Sequence, residues 1–339
     1  MNGVDLSRFE HDYDTTWAAY FLDADLNVYS RYGGRDETEP DARLSKASLL
    51  QTMREVLDVH AKRQAAGKVA PKELVQPVGE KPSTPEDMPL LRANHRGCIH
   101  CHQVQEYRLL QTFAYGTFQR DDLFRYPLPE NVGLMFDRDH GHRIAEILPG
   151  SAAAKAALQT GDVITRVNGI PIHSEEDTRW ALHRASENKP ITLAVSRPSK
   201  TTAATDLVNI ELNPQPGWRQ TELGWRKSLR SIPVPWGFLA YSLSPVECRS
   251  AGLPENKLAI RVVSIRGEGL ATNLGLKTGD TIISRAGKDT PRSFDQFKSD
   301  LIRAYTPGDT VKLTVRRDRN PVELIGKFPE FHTTETSVP

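Results

Sequence analysis

The sequence predicts an α+β chain of several domains, and three observations support this fold class. The chain has 339 residues, whereas one domain usually has about 100 to 200. A proline-rich stretch separates its first part from the remainder. Its last two thirds contain an internal repeat. We therefore expect two to four domains rather than one core.

The expected boundaries follow these changes along the chain. They give a β-β-α unit at 1–61, a proline-rich linker at 62–93, a helical CxxCH segment at 94–127, two repeat copies at 128–215 and 216–330, and a tail at 331–339.

Charge and hydropathy exclude several classes of function. Lys and Arg total 44 against 43 Asp and Glu, which gives a formal charge of +1. No basic block marks a surface for nucleic acid or anionic lipid. No run of 18 apolar residues predicts a transmembrane helix. The first residues lack the basic and apolar regions of a signal peptide.

Residues 1–61 are predicted to form a hairpin followed by a helix. Strands are expected at Trp17–Leu22 and around Val28–Tyr32, with an Asp/Asn turn between them. Apolar residues then recur at helical spacing after Ser45, a candidate N-cap. This order resembles the C-terminal half of a thioredoxin-like fold. The half that would carry the thioredoxin CxxC has no counterpart here, and an unrelated small α+β cap is the alternative.

The linker at 62–93 is expected to be extended, because proline disrupts helices and sheets. It contains five prolines among lysines and glutamates: Pro71, Pro77, Pro82, Pro85 and Pro89.

The repeat is visible in LQTGDVITRVNG (158–169) and LKTGDTIISRAG (276–287), whose glycines Gly161 and Gly279 are 118 positions apart. Each copy predicts a short helix, a Gly-Asp turn, a strand, a longer helix and a final strand. The longer helices are expected at 175–185 and 294–304. The final strands are ITLAVSR (191–197) and VKLTVRR (311–317).

Both copies resemble bacterial PDZ domains of the kind found in HtrA-type and tail-specific proteases. The first has NVGLMF (131–136) and ILPGSAAAKAALQTGDVITRVNGIPI, and the second has PWGF (235–238) and GEGLATNLGLKTGDTIISRAG. In the second copy, Arg285 and Ala286 replace the family's usual apolar-Asn pair. The resemblance implies two PDZ-like, partly open β-barrels.

The PDZ resemblance implies that an extended peptide, usually a free C-terminus, binds by strand addition. It assigns the carboxylate-binding loop to four residues and the facing helix wall to four more. These are Val132, Gly133, Leu134 and Met135 in the loop, and Asp177, Trp180, Ala181 and Arg184 in the helix. Met135–Asp137 would be the pairing strand. Leu134 and Phe136 have PDZ core as an alternative role, and a closed, structural PDZ is an alternative for either copy.

The chain contains neither GxSxG nor HExxH, and no Ser, His and Asp occur together in a recognisable catalytic context. We therefore expect no hydrolase activity and, more generally, no enzyme, with a redox role through haem as the alternative.

The sequence CIHCH at 98–102 predicts covalent attachment of one haem c. On a helical turn, Cys98, Cys101 and His102 would face one porphyrin, with two thioethers and His102 as the proximal iron ligand. Zinc with further histidine ligands, a redox dithiol, and cysteines without a ligand are the alternatives. Cys248 is expected to be buried on a short helix of the second copy.

The distal iron ligand has several candidates. Met88 and His95 are ranked first, because Met–His ligation is common in cytochromes c. Met135, His140 and His142 follow, and a five-coordinate iron is also possible. The aromatic and aliphatic residues after the motif would form the haem wall: Tyr107, Leu110, Phe113 and Phe118.

These features together predict a mono-haem c-type protein that acts as an electron-transfer or redox-sensing adaptor. It would dock a peptide C-terminus through the first PDZ copy and exchange electrons with a redox partner protein. A cofactor-free PDZ scaffold with a metal or disulfide at CxxCH, and a thiol–disulfide oxidoreductase, are the alternatives. We expect a periplasmic or otherwise exported location, because haem c is attached outside the cytoplasm. Met1 would then be a trimmed or mis-assigned start.

Overall fold

A computed structural model describes residues 1–67, 74–77, 79, 83–94, 97–198, 205–229 and 234–331. The chain divides into two compact units. Unit 1 comprises residues 1–108 and 119–221, and unit 2 comprises residues 109–118 and 222–339. The linker expected at 62–93 lies partly outside the described residues. No helix among the described residues is long and apolar enough to cross a membrane.

Unit 1 begins with a hairpin and a helix, as the sequence predicted. The antiparallel strands are β1 (Ala18–Leu22) and β2 (Val28–Gly33), and the helix is α1 (Lys46–Ala66). Ser45 caps α1, since its side chain accepts a hydrogen bond of 3.0 Å from the amide of Ser48. These elements do not test the thioredoxin-like assignment, which stays a prediction.

The rest of unit 1 contains short helices and two small sheets. The helices and strands are α2 (Pro89–Asn94), the start of α3 (Cys101–Ala114), β3 (Leu134–Phe136), β4 (Ile144–Ile147), α4 (Ala152–Lys155), β5 (Val163–Val167), β6 (Ile170–Pro171), α5 (Glu175–Arg184), β7 (Ile191–Pro198) and β8 (Thr205–Leu212). Strands β3 and β4 form one antiparallel pair, and the second sheet has the order β6-β5-β7-β8.

The main core of unit 1 lies between this second sheet and α5. Ile164 and Leu193 on the strands and Leu182 on the helix are each at most 1% exposed. A smaller apolar cluster surrounds the CxxCH segment and comprises Leu6, Tyr13, Met88, Leu91, Ile99 and Val104.

Unit 2 repeats the order of elements seen in the second half of unit 1. Its elements are β9 (Phe238–Ser242), α6 (Pro245–Ala251), β10 (Ile260–Ile265), α7 (Leu270–Leu274), β11 (Thr281–Arg285), α8 (Phe294–Ala304), β12 (Thr310–Arg317) and β13 (Asn320–Lys327). They form one sheet of order β13-β12-β11-β10-β9. Cys248 lies on α6 and is 2% exposed, as predicted.

The duplication is also visible in one repeated ion pair. In unit 1, Arg197 donates two hydrogen bonds of 2.7 Å to Asp162. In unit 2, Arg317 donates two of 2.8 Å to Asp280. Each aspartate belongs to a Thr-Gly-Asp turn and each arginine to the strand that follows the long helix. The same ion pair therefore joins this turn to this strand in both copies.

In each copy a further strand follows the one that was expected to be the last. Strands β8 and β13 pair along their full length with β7 and β12. The alternation in DLVNIEL and PVELIGK was the available signal for these strands.

Candidate peptide-binding site

The predicted carboxylate-binding loop of unit 1 is a tight turn that leads into β3. Residues Pro129–Val132 form a 3-10 turn, which ends at Gly133 with a φ of 95°. The carbonyl of Gly133 accepts a hydrogen bond of 3.0 Å from the amide of Leu148. Val132 and Leu134 are at most 1% exposed. Their side chains therefore belong to the core, which was the alternative role for Leu134, while Met135 is half-buried.

One edge of β3 is unpaired among the described residues. Phe136 lies opposite Ile144 of β4. The amide and carbonyl of Ile144 bond to Asp162 and Gly161 on the far side of β4, at 2.8 Å each. Phe136 and Ile144 thus form a non-hydrogen-bonded pair, and the amide and carbonyl of Phe136 point to the unpaired edge.

The predicted helix wall of unit 1 is covered. Every residue of α5 from Glu175 to Leu182 is buried. The guanidinium of Arg31 lies 3.8 Å from the ring centroid of Trp180, and the indole N–H of Trp180 donates to Glu10 at 3.4 Å. Trp180 is 1% exposed. The expectation that Trp180 lines an open groove is therefore wrong, because N-terminal residues cover this helix.

The cover is held on α5 by buried polar contacts. Asp177 accepts hydrogen bonds of 2.7 Å from the hydroxyl of Ser30 and from the amide of Arg31. Arg179 donates to Asp12 at 2.5 Å and to Glu176 at 3.2 Å. Burial raises the pKa of Glu176 to about 7, an effect that Arg179 opposes and Asp12 reinforces. Asp177 and Ala181 are buried with Trp180, and only Arg184 of the predicted wall is exposed.

Unit 2 presents the corresponding strand at the end of its sheet, and its long helix α8 is contacted by Leu223, whose amide donates to the hydroxyl of Ser299 at 2.8 Å. Gly237 takes the place of Gly133, because its carbonyl accepts from the amide of Arg266 at 2.8 Å. Strand β9 is the last strand of the sheet among the described residues. Ala240 lies opposite Val262, whose amide and carbonyl bond to Asp280 and Gly279 at 2.9 Å each. The amide and carbonyl of Ala240 therefore point to the unpaired edge.

A small cavity of about 30 Å³, about the volume of one water molecule, is lined by Trp236 and by one side of α8 in unit 2. Its lining carries charges of both signs, since Lys298 pairs with Asp295 at 2.7 Å. On β9 itself, Leu239 and Tyr241 are each 44% exposed. Unit 2 thus combines an unpaired strand edge with exposed apolar side chains on the same strand.

The CxxCH segment differs from its predicted form. Helix α3 begins at Cys101, and Cys98 precedes it, so the three residues do not share one helical turn. The side chain of Gln103 accepts from the amide of His100 at 2.8 Å and thereby caps the helix start. Cys98 is exposed, whereas Cys101 and His102 are half-buried.

The candidate distal ligands are distributed over unit 1. Met88 is 9% exposed and lies in the apolar cluster that packs against Cys101. His95 lies outside the described residues. His140 pairs with Asp137 at 3.0 Å, and His142 pairs with Glu55 at 3.0 Å.

Two further expectations concern the surroundings of the motif. Among the predicted wall residues, the rings of Phe113 and Phe118 stack on each other at 4.0 Å. Among the described residues, no three His, Cys, Asp or Glu side chains form a group that could hold a metal ion.

Comparison with protein families decides the identity of the first repeat copy. A family model described as PDZ domain matches residues 131–208. These residues form a PDZ domain. The match includes the PDZ domain's loop, its strand β3 and its helix α5, in agreement with the resemblance inferred from the sequence.

Curated relatives extend the likeness beyond this domain. The periplasmic serine endoprotease DegP of Salmonella typhimurium is 29% identical over 177 residues, 51% of this chain and 33% of the relative. DegP of Escherichia coli K12 is 37% identical over 106 residues, which are 30% of this chain and 22% of that relative. A probable DegP-like periplasmic serine endoprotease of Pseudomonas savastanoi is 26% identical over 203 residues, which are 60% of this chain and 40% of that relative. The chain thus spans well under half of the curated relatives that it matches.

Two solved structures are also similar to part of the chain. One described as "HtrA-type protease AlgW with decapeptide" is 20% identical, covers 41% of this chain and 42% of its own, and has a TM-score of 0.24. A second, described as "HtrA-type protease AlgW with tripeptide", is 19% identical. It covers 41% of this chain and 49% of its own, with a TM-score of 0.25.

The names of the curated relatives correct two expectations. The relatives are called serine endoproteases, which contradicts the haem electron-transfer adaptor and its scaffold and oxidoreductase alternatives. The same names contradict the expectation of no enzyme. The haem adaptor followed from the CxxCH motif rather than from the PDZ repeat, and the expectation of no enzyme followed from motifs within this chain alone. The expected periplasmic or otherwise exported location is confirmed, since these relatives are named as periplasmic.

Proposed function

We propose that this chain recognises extended peptides in HtrA-type proteolysis in the periplasm. Two findings support the proposal: the PDZ family match at 131–208 and the similarity to periplasmic serine endoproteases. The peptide adds as a strand to the unpaired edge of a sheet, where its backbone bonds to the exposed amides and carbonyls. Recognition of backbone suits a proteolytic role, because unfolded chains offer extended backbone of many sequences.

The observation that carries the proposal is the outward amide and carbonyl of Ala240 on β9. An added strand would use both groups, and its side chains would alternate between the two faces of the sheet. The exposed side chains of Leu239 and Tyr241 on β9 would pack against apolar side chains of the added strand.

The proposal is tested by replacing Ala240 with proline. Proline removes the outward N–H and leaves the bonds between β9 and β10 in place. The measurement is fluorescence anisotropy with a fluorescein-labelled decapeptide that ends in a free, apolar C-terminal residue. We expect Ala240→Pro to weaken binding at least about tenfold, the size of one lost hydrogen bond to peptide.

Ala240→Ser is the matched control, because serine keeps the N–H and a small side chain. It should bind the decapeptide as the original protein does. Equal binding by the proline and serine variants, with both melting as folded proteins, would rule out strand addition at β9.

The link to proteolysis is tested with the same pair of variants. Degradation of unfolded β-casein by the protein is followed by gel electrophoresis. If recognition at β9 feeds proteolysis, Ala240→Pro slows degradation and Ala240→Ser does not.

For the CxxCH segment we propose haem c as a covalently bound cofactor, with zinc as the alternative, and no adaptor role. Cys98, Cys101 and His102 are all at least partly accessible, and an apolar cluster with Met88 packs against Cys101. These residues fit a group attached from outside the helix: the thiols would hold it and His102 would ligate its iron. A pyridine haemochrome spectrum of protein made with haem-maturation machinery tests this, and the signal should be lost in Cys98→Ala.

A further inference from the structure

Arg43 joins the two walls of the PDZ domain's peptide groove. Its guanidinium contacts Glu130 at 2.7 Å, in the turn just before the predicted carboxylate-binding loop. It also contacts Glu175 at 2.5 Å, the first residue of α5. Strand addition would place a peptide between these two elements. A single side chain from the N-terminal part of the chain therefore spans the space that a peptide would use.

The residues on either side of Arg43 follow the same path. Arg138, two positions past the end of β3, donates to the carbonyl of Leu44 at 2.9 Å and to that of Asp41 at 3.3 Å. The hydroxyl of Ser45 donates to the carbonyl of Arg138 at 3.3 Å. At the other end of the segment, Asp36 accepts from Arg43 at 3.0 Å. Residues 36–45 are thus in contact with both ends of the β3 region and with the start of α5.

We propose that residues 36–45, here called the latch segment, close the groove of the PDZ domain as a built-in ligand, with Arg43 as the residue that holds it shut. The inference goes beyond peptide binding at β9, since it concerns the other copy of the repeat. Peptides would reach the unpaired edge of β3 only after Arg43 leaves Glu130 and Glu175, and the cover of α5 by Ser30, Arg31 and Glu10 would stay in place.

The charges show why this contact is specific. Burial by itself lowers the pKa of Arg43, but the carboxylates of Glu175 and Glu130 outweigh burial and hold it above its ordinary value. Burial raises the pKa of Glu175, and Arg43 opposes that rise. Removal of Arg43 would leave Glu175 as a buried carboxylate without this cation, which is unfavourable.

The contact is polar, and polar contacts can be exchanged. Glu130 retains a buried carboxylate oxygen that accepts no hydrogen bond from the described residues. A competing peptide would therefore have to bring its own cation to replace the guanidinium of Arg43. We expect an arginine-containing peptide to displace the latch segment better than the same peptide with glutamine in that position.

Hydrogen exchange tests the latch without any ligand. Arg43→Gln should speed amide exchange in residues 36–45 and at the start of α5, because the segment loses its central contact. Arg63→Gln is the matched control: Arg63 pairs with Asp23 at 3.0 Å on the same N-terminal part of the chain. If the two variants exchange alike in these segments, Arg43 does not hold the groove shut.

Peptide binding tests the groove itself, in a background of Ala240→Pro that silences β9. The probe is a fluorescein-labelled decapeptide with one internal arginine and a free, apolar C-terminus. Adding Arg43→Gln should increase its affinity at least tenfold. Phe136→Pro should abolish the gain, because the amide of Phe136 points to the open edge of β3.

Each result decides the proposal. If Arg43→Gln brings no increase in affinity for the decapeptide, or no binding at all, residues 36–45 are not a built-in ligand. This conclusion holds whether or not the protein with an intact β9 binds the decapeptide. If Arg43→Gln lowers the folded fraction by circular dichroism, Asp36→Asn replaces it, since Asp36 accepts a hydrogen bond of 3.0 Å from Arg43 and lies on neither wall of the groove. A gain that survives Phe136→Pro would also overturn the proposal.

Discussion

Two glycines at equivalent positions begin the two candidate binding strands, yet their surroundings differ. Gly133 has a φ of 95°, and a Cβ there would overlap the side chain of Ser151. Gly237 has a φ of 70°, and the nearest atoms to a Cβ would be two carbonyl oxygens at 3.4 Å. An alanine at either position would be strained by the left-handed backbone, whereas only an alanine at Gly133 would also overlap a neighbouring side chain.

The first prediction compares these two glycines. Gly237→Ala should cost about 1 kcal/mol from left-handed backbone strain, whereas Gly133→Ala should cost more than about 2 kcal/mol because Ser151 must also move. Chemical denaturation monitored by circular dichroism measures both. Equal losses would show that Ser151 yields without cost.

His11 predicts how unit 1 responds to acid. The residue is 6% exposed, and its Nδ1 lies 3.0 Å from the carbonyl oxygen of Phe9 and 3.0 Å from the hydroxyl oxygen of Tyr20. Burial lowers the pKa of His11 from 6.5 to about 4. Between these values the folded protein binds fewer protons than the unfolded chain, so stability falls as the pH is lowered.

The second prediction follows from this sign. The original protein should lose up to about 3 kcal/mol between pH 6.5 and pH 4 through His11. His11→Gln should remove that part of the loss, while His100→Gln, at an exposed position, should leave the profile unchanged. Urea unfolding at several pH values provides the measurement. An unchanged acid slope in His11→Gln would assign the loss to other groups.

At the scale of elements, helix boundaries were predicted correctly where the residues that set them lie within a few positions of the boundary. The helix Phe294–Ala304 was predicted to the residue, because Ser293 and Gln296 form a capping box at its start. Helix α5 was likewise found, one residue shorter than expected. The start of α3 was missed: the CxxCH spacing suggested a helical turn, whereas the cap made by Gln103 places the helix after Cys98.

The repeated turn of the two copies makes a prediction about both units. Asp162 and Asp280 each have 1% of their side chain exposed and are paired with Arg197 and Arg317. Loss of either arginine leaves a buried carboxylate without its cation, which should cost about 2 kcal/mol.

This third prediction is tested by calorimetry. If the units unfold separately, Arg197→Gln lowers only the transition of unit 1, and Arg317→Gln lowers only that of unit 2. Movement of the same transition by both variants would show that the units unfold together.

At the scale of the whole molecule, the two repeat copies share their architecture and differ in their use of it. In unit 1, N-terminal residues cover the long helix and bridge the groove. In unit 2, β9 keeps an unpaired edge with exposed Leu239 and Tyr241. The copy with the stronger sequence match is therefore the one whose long helix is covered by N-terminal residues, and we propose peptide binding at β9 of unit 2 instead.

The sequence by itself determined the repeat, its helices and most of its strands, because periodicity, caps and Gly-Asp turns act over a few residues. It also determined the likeness to PDZ domains. Only the tertiary structure decided which side chain contacts both the turn before β3 and the start of α5, since Arg43 meets partners 87 and 132 positions away. No local pattern indicates such contacts, because Arg43 looks like any surface arginine in the sequence. Its burial between two carboxylates that are distant in the chain is what distinguishes it.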